Sequence, residues 1–211
     1  MAALSRGLAR MLGETSISDE EILDAFAQVP RQEFLDDSLK SRWLDNMAFP
    51  IGHAQTTSQP EVMARMLELV WNRKHSRQAL EVGAGCGYMA ALLARLYKQV
   101  VAVERIRALA VAADHRLKTL GYNNVRIVHG DGKLGIPDGS GFDAIIVSAA
   151  ATQAPEPLLA QLSGRGRLVI PEKSGAGAEH LVLYRKNAGK ITRSEHDRVS
   201  FVPLLSGKES R

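Results

Sequence analysis

Three sites that could do chemistry follow one another through the middle of the chain. The stretch "LEVGAGCGY" sets Gly83, Gly85 and Gly87 on what reads as a turn from a strand into a helix. Missing β-carbons there allow tight backbone angles and close approach of a ligand. Glu104 ends the next apolar run, "QVVAVE", 21 residues after Gly83. A carboxylate at that neighbouring strand tip can accept both hydroxyls of a ribose. "HGDG" then puts Asp131 at the end of a third strand, placed to read an adenine amino group. In this order and spacing the three point to a nucleoside cofactor. The glycine pattern is G-x-G-x-G, with Tyr88 where a dinucleotide site has its third glycine, which disfavours a pyrophosphate and a nicotinamide dehydrogenase.

A second cluster lies upstream. "IGHAQTTSQP", residues 51–60, holds His53, Gln55, Thr56, Thr57, Ser58 and Gln59 ahead of Pro60, with no Asp, Glu, Lys, Arg or Cys. It offers hydroxyls and amides but no strong acid, base or nucleophile. Ser58 could also serve simply as the N-cap of a helix beginning near Pro60. Cys86 sits at a helix N-terminus, which can activate a thiol. No base is paired with it in sequence, so it reads as a small packing residue. The six histidines show no ligand spacing, and with one cysteine no metal site is expected.

The elements that must position these residues alternate. "SDEEILDAFAQV" reads as an amphipathic helix with Ser18 and Glu21 spaced as a capping box. "PEVMARMLELVW" has Val62, Met66, Leu67 and Val70 at helical spacing, with Pro60 in its first turn. "ALEV", "QVVAVE", "VRIVHG", "FDAIIVSA", "GRLVIP" and "HLVLYRK" read as strands. "YMAALLARLY", "RALAVAADHRLKTLG" and "PEPLLAQL" read as the helices between them, the second closed by Gly121. Apolar strands separated by helices form a mostly parallel sheet covered on both faces, a three-layer Rossmann-like α/β fold with additional N-terminal helices. "PEKSGAGAEH", residues 171–180, reads as a Gly/Ser-rich loop before the last strands.

Bulk properties set outer limits. The chain has 211 residues, 45% hydrophobic and 24% charged, which suits one soluble domain with a sizeable core. No apolar run reaches the roughly 20 residues of a membrane span. "MAALSRGLARML" is too interrupted for a secretory segment and reads as a first helix packed on the domain. A lone cysteine fits a reducing cytoplasm. Net charge is +4 and the pI is near 9.3, but the basic residues are scattered and only 5% of residues are aromatic. That pattern argues against nucleic acid as a partner.

The segments "VPRQEFLDD", "PIGHAQTTSQP", "LEVGAGCGY", "VVAVERI", "LGYNNVRIVHGDG", "FDAIIVSAA", "PEPLLAQL", "GRLVIP" and "FVPL" resemble, in order, the motifs of protein-L-isoaspartate O-methyltransferases. The resemblance covers roughly residues 18–205. It implies one methyltransferase domain over 1–211, with an N-terminal helical part (1–72) carrying an acceptor-site loop at 51–60. The Rossmann-like core and C-terminal strands would occupy 73–211. It implies a monomeric cytoplasmic enzyme that moves a methyl group from S-adenosylmethionine to the α-carboxylate of L-isoaspartyl residues, and more weakly D-aspartyl residues, in damaged proteins. The ester then closes to a succinimide whose hydrolysis returns some aspartate. By resemblance Gly83, Ala84 and Gly85 approach the cofactor, Glu104 holds the ribose, and Asp131 and Gly132 flank the adenine. Ser58 becomes the active-site hydroxyl, with Thr56 and Thr57 beside it. "VSFVPL", residues 199–204, including Val202, Pro203 and Leu204, helps form a peptide groove.

The neutral cluster then makes chemical sense. A carboxylate, with a pKa of roughly 3.5–4, is already an ionised nucleophile at neutral pH and needs no general base. Anion and sulfonium neutralise one another in the transition state, so a strong positive clamp would favour the ground state. Orientation and exclusion of water are what help. There are departures from the family pattern. Pro171-Glu172-Lys173 stands where Pro-Val-Gly is common, and Glu179 and His180 lie near an expected glutamine. Ala84 and Cys86 replace frequent Ser or Thr, and Ala54 a frequent glycine. The changes at 171–180 bear on acceptor preference. They leave two other readings open: a carboxyl methyltransferase with a specialised acceptor, or a non-catalytic S-adenosylmethionine-binding adaptor.

Overall fold

The computed structural model describes residues 2–137, 139–175 and 177–209, with side chains from residue 7 onward. Within the expected 171–180 loop, Ala176 lies outside the described residues.

Helices α1 (Ala2–Gly13) and α2 (Glu20–Gln28) open the chain, burying Leu8, Leu12, Ile22 and Phe26. The cap of α2 is Asp19, whose carboxylate accepts from the amides of Glu21 and Ile22. The expected Ser18–Glu21 capping box is therefore displaced. The Ser18 amide donates to Glu68, and Glu21 is drawn outward to the Trp71 indole and Arg73. Two 3-10 helices follow, Arg31–Phe34 and Asp37–Arg42.

The 51–60 segment is more ordered than a loop. Strands β1 (Phe49–Gly52) and β2 (Gln55–Thr57) form an antiparallel hairpin. Its turn places His53 and Ala54 at φ 53° and 54°. Arg31 holds the approach to it. Buried to 1% exposure, its guanidinium donates to the carbonyls of Trp43, Asp45 and Met47 and lies 5.0 Å above the Phe49 ring. Helix α3 (Pro60–Val70) leaves the hairpin with Pro60 in its first turn, as its sequence dictates.

The core comprises β3 (Gln78–Val82), α4 (Tyr88–Leu96), β4 (Gln99–Glu104), α5 (Arg107–Thr119), β5 (Val125–His129), β6 (Phe142–Val147) and α6 (Glu156–Ala160). Strands β7 (Leu162–Lys173), β8 (Glu179–Asn187) and β9 (Lys190–Val199) complete it. The sheet order is β5-β4-β3-β6-β7-β8-β9, parallel through β7 and antiparallel thereafter. This is the expected mostly parallel α/β architecture.

Strand β9 escapes the apolar pattern because its "KITRSEHDRV" is largely exposed on both faces. It pairs through a turn at Ala188 and Gly189, both at positive φ. Much of 171–180 is likewise strand, since Glu172, Lys173, Glu179 and His180 pair across the β7–β8 hairpin. On one face of the sheet Ala79, Ala102, Ala144 and Ile146 meet α1 to α4. On the other, Leu80, Val82, Val103, Ile145 and Val147 meet Leu158, Leu162 and Leu168.

Strand order reverses between β3 and β6. Successive strands run outward from there in opposite directions, leaving a crevice at the carboxyl edge, where ligands bind in open α/β sheets.

Candidate active site

The turn after β3 forms the floor of that crevice. Gly83, Gly85 and Gly87 adopt φ of 89°, 52° and 90°, a region that disfavours any residue with a β-carbon. Gly87 is the N-cap of α4, so the turn ends where the helix starts. Gly132, in the 3-10 turn at 132–134 that follows β5, faces the floor, and a β-carbon there would stand 2.4 Å from Val82 Cγ1.

A cavity of about 1000 Å³, including its open mouth, occupies the crevice. Thr56, Thr57, Ser58, Gly83, Ala84, Gly85, Glu104, Gly132, Val202, Pro203 and Leu204 all line it. The fold therefore gathers eleven of the twelve expected site residues, from segments up to 148 positions apart, around one space. Asp131 is the exception and does not line it. Its Oδ1 accepts from the Lys133 amide and its Oδ2 from the Gly207 amide at 2.6 Å. The carboxylate thus caps the 3-10 turn at 132–134 and anchors the C-terminal segment above it.

Glu104 is 5% exposed. Its Oε2 accepts from the Gly85 amide and its Oε1 from the Ile106 amide, each at 2.9 Å. Each oxygen keeps a second lone-pair direction for a ligand hydroxyl. The two bonds also tie the glycine turn to the tip of β4, so the carboxylate is oriented before any ligand arrives.

Ser58 is not the cap of α3. That position belongs to Gln59, which makes no side-chain capping bond. Ser58 instead stands where the cavity meets a second cleft of about 1210 Å³. The cleft is lined by Ala48, Gln59, Val62, Arg198, Val199 and Phe201 among others. Thr56, Ser58, Ser148 and Val202 line both spaces.

The 199–204 segment forms the wall between them. The Ala150 amide donates to Val202 O, the Leu204 amide donates to Ala150 O, and Glu179 accepts from the Phe201 amide at 2.7 Å. Of the residues that depart from the family pattern, Glu179 is thus a direct support for this wall. Glu172, 5% exposed, accepts from the Ala154 amide and the Tyr184 hydroxyl and pairs with Arg193.

Sequence reasoning missed several groups. Ile51 and Met63 come from the N-terminal part, and Ser148 and Ala149 from the tip of β6. Arg105, Ile106 and Leu109 follow β4. Glu81 is the most telling. It lines the cavity, is 1% exposed, and its Oε2 has no hydrogen-bond partner among the described residues. Burial, and then the nearby Glu104, push its carboxyl well above the usual range. The signal was present in "ALEV", an acid inside an otherwise apolar strand.

Cys86 is buried, and burial raises its thiol, so it packs as a neutral side chain. The ionisable lining is then two carboxyl groups, Cys86, Tyr88 and Arg105, whose guanidinium pairs with Glu209. An acid-rich wall with one engaged cation repels a pyrophosphate and fits a ligand that carries ribose hydroxyls and positive charge.

A model of the family described as protein-L-isoaspartate(D-aspartate) O-methyltransferase matches residues 6–209. The protein-L-isoaspartate O-methyltransferase of Bordetella parapertussis is 46% identical over 209 residues, 98% of this chain and 80% of that protein. That of Dechloromonas aromatica is 46% identical over 208 residues, 97% and 95% of the two chains. A solved protein-L-isoaspartate O-methyltransferase superposes with a TM-score of 0.85 at 28% identity. It covers 98% of this chain, which spans 66% of that one's length. A putative protein-L-isoaspartate O-methyltransferase from Plasmodium falciparum, solved with S-adenosyl-L-homocysteine, superposes at 0.83 and 24% identity, a likeness of fold. It covers 95% of this chain and 98% of its own.

Proposed function

We propose how this site works from one premise: the chain belongs to the protein-L-isoaspartate(D-aspartate) O-methyltransferase family. It is an S-adenosylmethionine-dependent methyltransferase that repairs damaged proteins by esterifying the α-carboxylate of L-isoaspartyl residues. The single observation that carries the mechanism is Ser58 standing where two clefts meet, one over the glycine turn with Glu81 and Glu104 in its lining, the other along 198–202.

S-adenosylmethionine, when bound, supplies an electrophilic methyl on a sulfonium. The residues fit it: Glu104 keeps lone pairs for ribose hydroxyls, Gly83 to Gly85 leave room for close approach, and the orphaned carboxyl of Glu81 calls for a positive partner. Gly132 and Leu205 would bound the adenine side. Asp131, held by the Lys133 and Gly207 amides, keeps lone pairs that would read the adenine amino group.

The acceptor carboxylate enters already ionised, so no side chain has to remove a proton. Ser58 would donate to it and hold it in line with the methyl, with Thr56 and Thr57 beside it. A neutral hydroxyl does this without trapping the anion in the ground state. Val202, Pro203 and Leu204 separate the two clefts and keep water from the reacting centre. The acceptor peptide would lie in the cleft beside Val199 and Phe201.

An isoaspartyl linkage leaves its α-carboxylate on a short branch while the main chain runs through the side chain. Normal aspartate presents the group one methylene away and loses alignment. The enzyme would act as a monomer in the cytoplasm on protein rather than nucleic acid. The buried, unpaired Cys86 and the scattered basic residues support that placement. No helix among the described residues is long and apolar enough to cross a membrane.

Methylation of paired peptides tests the reading. An isoaspartyl peptide should exceed its aspartyl twin by at least about 100-fold in kcat/KM, or about 2.7 kcal/mol. Equal rates, or methylation of small carboxylic acids alone, would point to a specialised acceptor instead.

A further inference from the structure

Residues 205–209 form a strap across the cofactor cavity. Leu205 lines the cavity and is 48% exposed, so the cover there is a single residue thick. Hydrogen bonds rather than apolar packing hold the strap. The Gly207 amide donates to Asp131 Oδ2 at 2.6 Å. At the far end Glu209 bridges to the tip of β4. Its amide donates to Arg105 O at 2.8 Å, its carbonyl accepts from the Arg107 amide at 3.0 Å, and its carboxylate pairs with the Arg105 guanidinium.

His129 completes that bridge. It ends β5, opposite Glu104 in the β4–β5 register. Its Nε2 lies 3.0 Å from Arg105 O and 3.1 Å from Glu209 O. Both partners are carbonyls and can only accept, so Nε2 carries a hydrogen and shares it between them. One N–H therefore ties the residue that follows the ribose acid to the end of the strap. Each carbonyl also has an amide donor, so removing the imidazole leaves neither unpaired.

We propose that His129 is a positioning residue: it latches the 205–209 strap over the adenine end of the site and so sets how long the cofactor and its demethylated product stay bound. This rests on S-adenosylmethionine being the methyl donor. The wall between the two clefts does not depend on the latch, because Ala150 holds Val202 and Leu204 by separate backbone bonds. Lifting the strap removes Leu205 from the cavity lining and leaves Ser58 where it is. A segment held by a few hydrogen bonds and little apolar contact is the kind that opens locally without unfolding the core. The latch therefore acts on ligand retention and not on methyl transfer.

Release of S-adenosylhomocysteine in stopped flow, with its Kd from calorimetry, reads the latch. His129→Phe keeps a ring of similar size without the N–H, and should raise Kd about tenfold, mostly through faster release. His129→Gln, whose terminal amide can reach the same carbonyls, should return to within about threefold of wild type. Single-turnover methylation of an isoaspartyl peptide at saturating cofactor, and the KM for that peptide, should stay within about twofold. Adenosine, measured in competition, should lose the same factor as S-adenosylhomocysteine, since the strap covers the base and not the amino-acid tail.

Gly207→Ala gives an independent handle on the strap. A β-carbon there meets nothing within 4 Å, but φ is 79°, which alanine resists. This variant should also speed release. Combined with His129→Phe it should lose less than the two losses added, because either change frees the same segment. Release at the wild-type rate in His129→Phe or in Gly207→Ala overturns the inference. So does a full loss in His129→Gln, a loss that falls on the peptide KM, or strict additivity in the double variant; each leaves the methyltransferase reading intact. Failure of S-adenosylhomocysteine to bind wild type at all overturns both.

Discussion

Ser58 and Glu104 do opposite kinds of work at the scale of single residues, and their variants should separate cleanly. Ser58 would orient a nucleophile that is already charged, so Ser58→Ala should lower kcat by roughly 10- to 100-fold, about 1.4–2.7 kcal/mol. Affinity for S-adenosylhomocysteine should stay within about twofold, because the hydroxyl makes no bond that holds the glycine turn. Single-turnover methylation alongside calorimetry measures both. Full activity in Ser58→Ala would remove its catalytic part, since it does not cap α3 either.

Glu104 accepts from two backbone amides and retains lone pairs for the ribose. Glu104→Ala should weaken cofactor binding by about 1.5–3 kcal/mol through lost charge-assisted hydrogen bonds. Part of that loss will come from the Gly85 and Ile106 amides left without an acceptor. Glu104→Gln, which keeps one acceptor oxygen, should recover a portion of it in the same titration.

The β7–β8–β9 hairpins matter, at the scale of elements, because they carry the wall between the two clefts. Glu179 on β8 accepts from the Phe201 amide, and Lys173 on β7 lies 3.7 Å from Glu179. A half-buried carboxylate thus fixes where the 199–204 segment leaves β9. Glu179→Ala should raise the KM for isoaspartyl peptides by about 3- to 10-fold, or about 0.7–1.4 kcal/mol, less than a full hydrogen bond to a charged group because the loss reaches the acceptor only through the wall. Affinity for S-adenosylhomocysteine should hold, because the glycine turn and Glu104 belong to other strands. Equal losses in both would mean that the wall is merely part of the general packing. Glu179, one of the residues that break the family pattern at 171–180, would thus act on the acceptor by way of this support.

Stability is a property of the whole molecule, and Glu81 makes it depend on pH. Burial, and then the nearby Glu104, hold its carboxyl well above the usual carboxylate range in the native state, so above that range the unfolded chain binds fewer protons than the folded one. Native stability then falls as pH rises, and Glu81→Gln lacks this penalty. Relative to wild type, the free Glu81→Gln protein should gain about 1.4 kcal/mol per pH unit above the ordinary carboxylate range. The gain levels off once the native carboxyl itself ionises. Below that range the two proteins should converge. Denaturant melts of the ligand-free proteins at a series of pH values check it. A constant difference across pH would place the effect in packing instead.

By itself the sequence determined the layered α/β fold, the strand-to-helix glycine turn, the positions of Glu104 and Gly132, and the neutral composition of the 51–60 cluster. Each is a local matter of periodicity, a missing β-carbon, or a carboxylate at a strand end, which neighbouring residues report. Only the tertiary structure decided the rest. It showed Ser58 at the meeting of two clefts, because β2 and the 199–204 segment come together across nearly the whole chain. It gave Asp131 an anchoring role beside its expected one, because one of its oxygens accepts from the distant Gly207 amide. It revealed β9, whose exposed faces carry no apolar alternation and whose pairing comes from β8. It also left Glu81 Oε2 without a partner among the described residues. Periodicity records which residues turn inward along one element, but which groups from other elements meet them there is set by long-range packing.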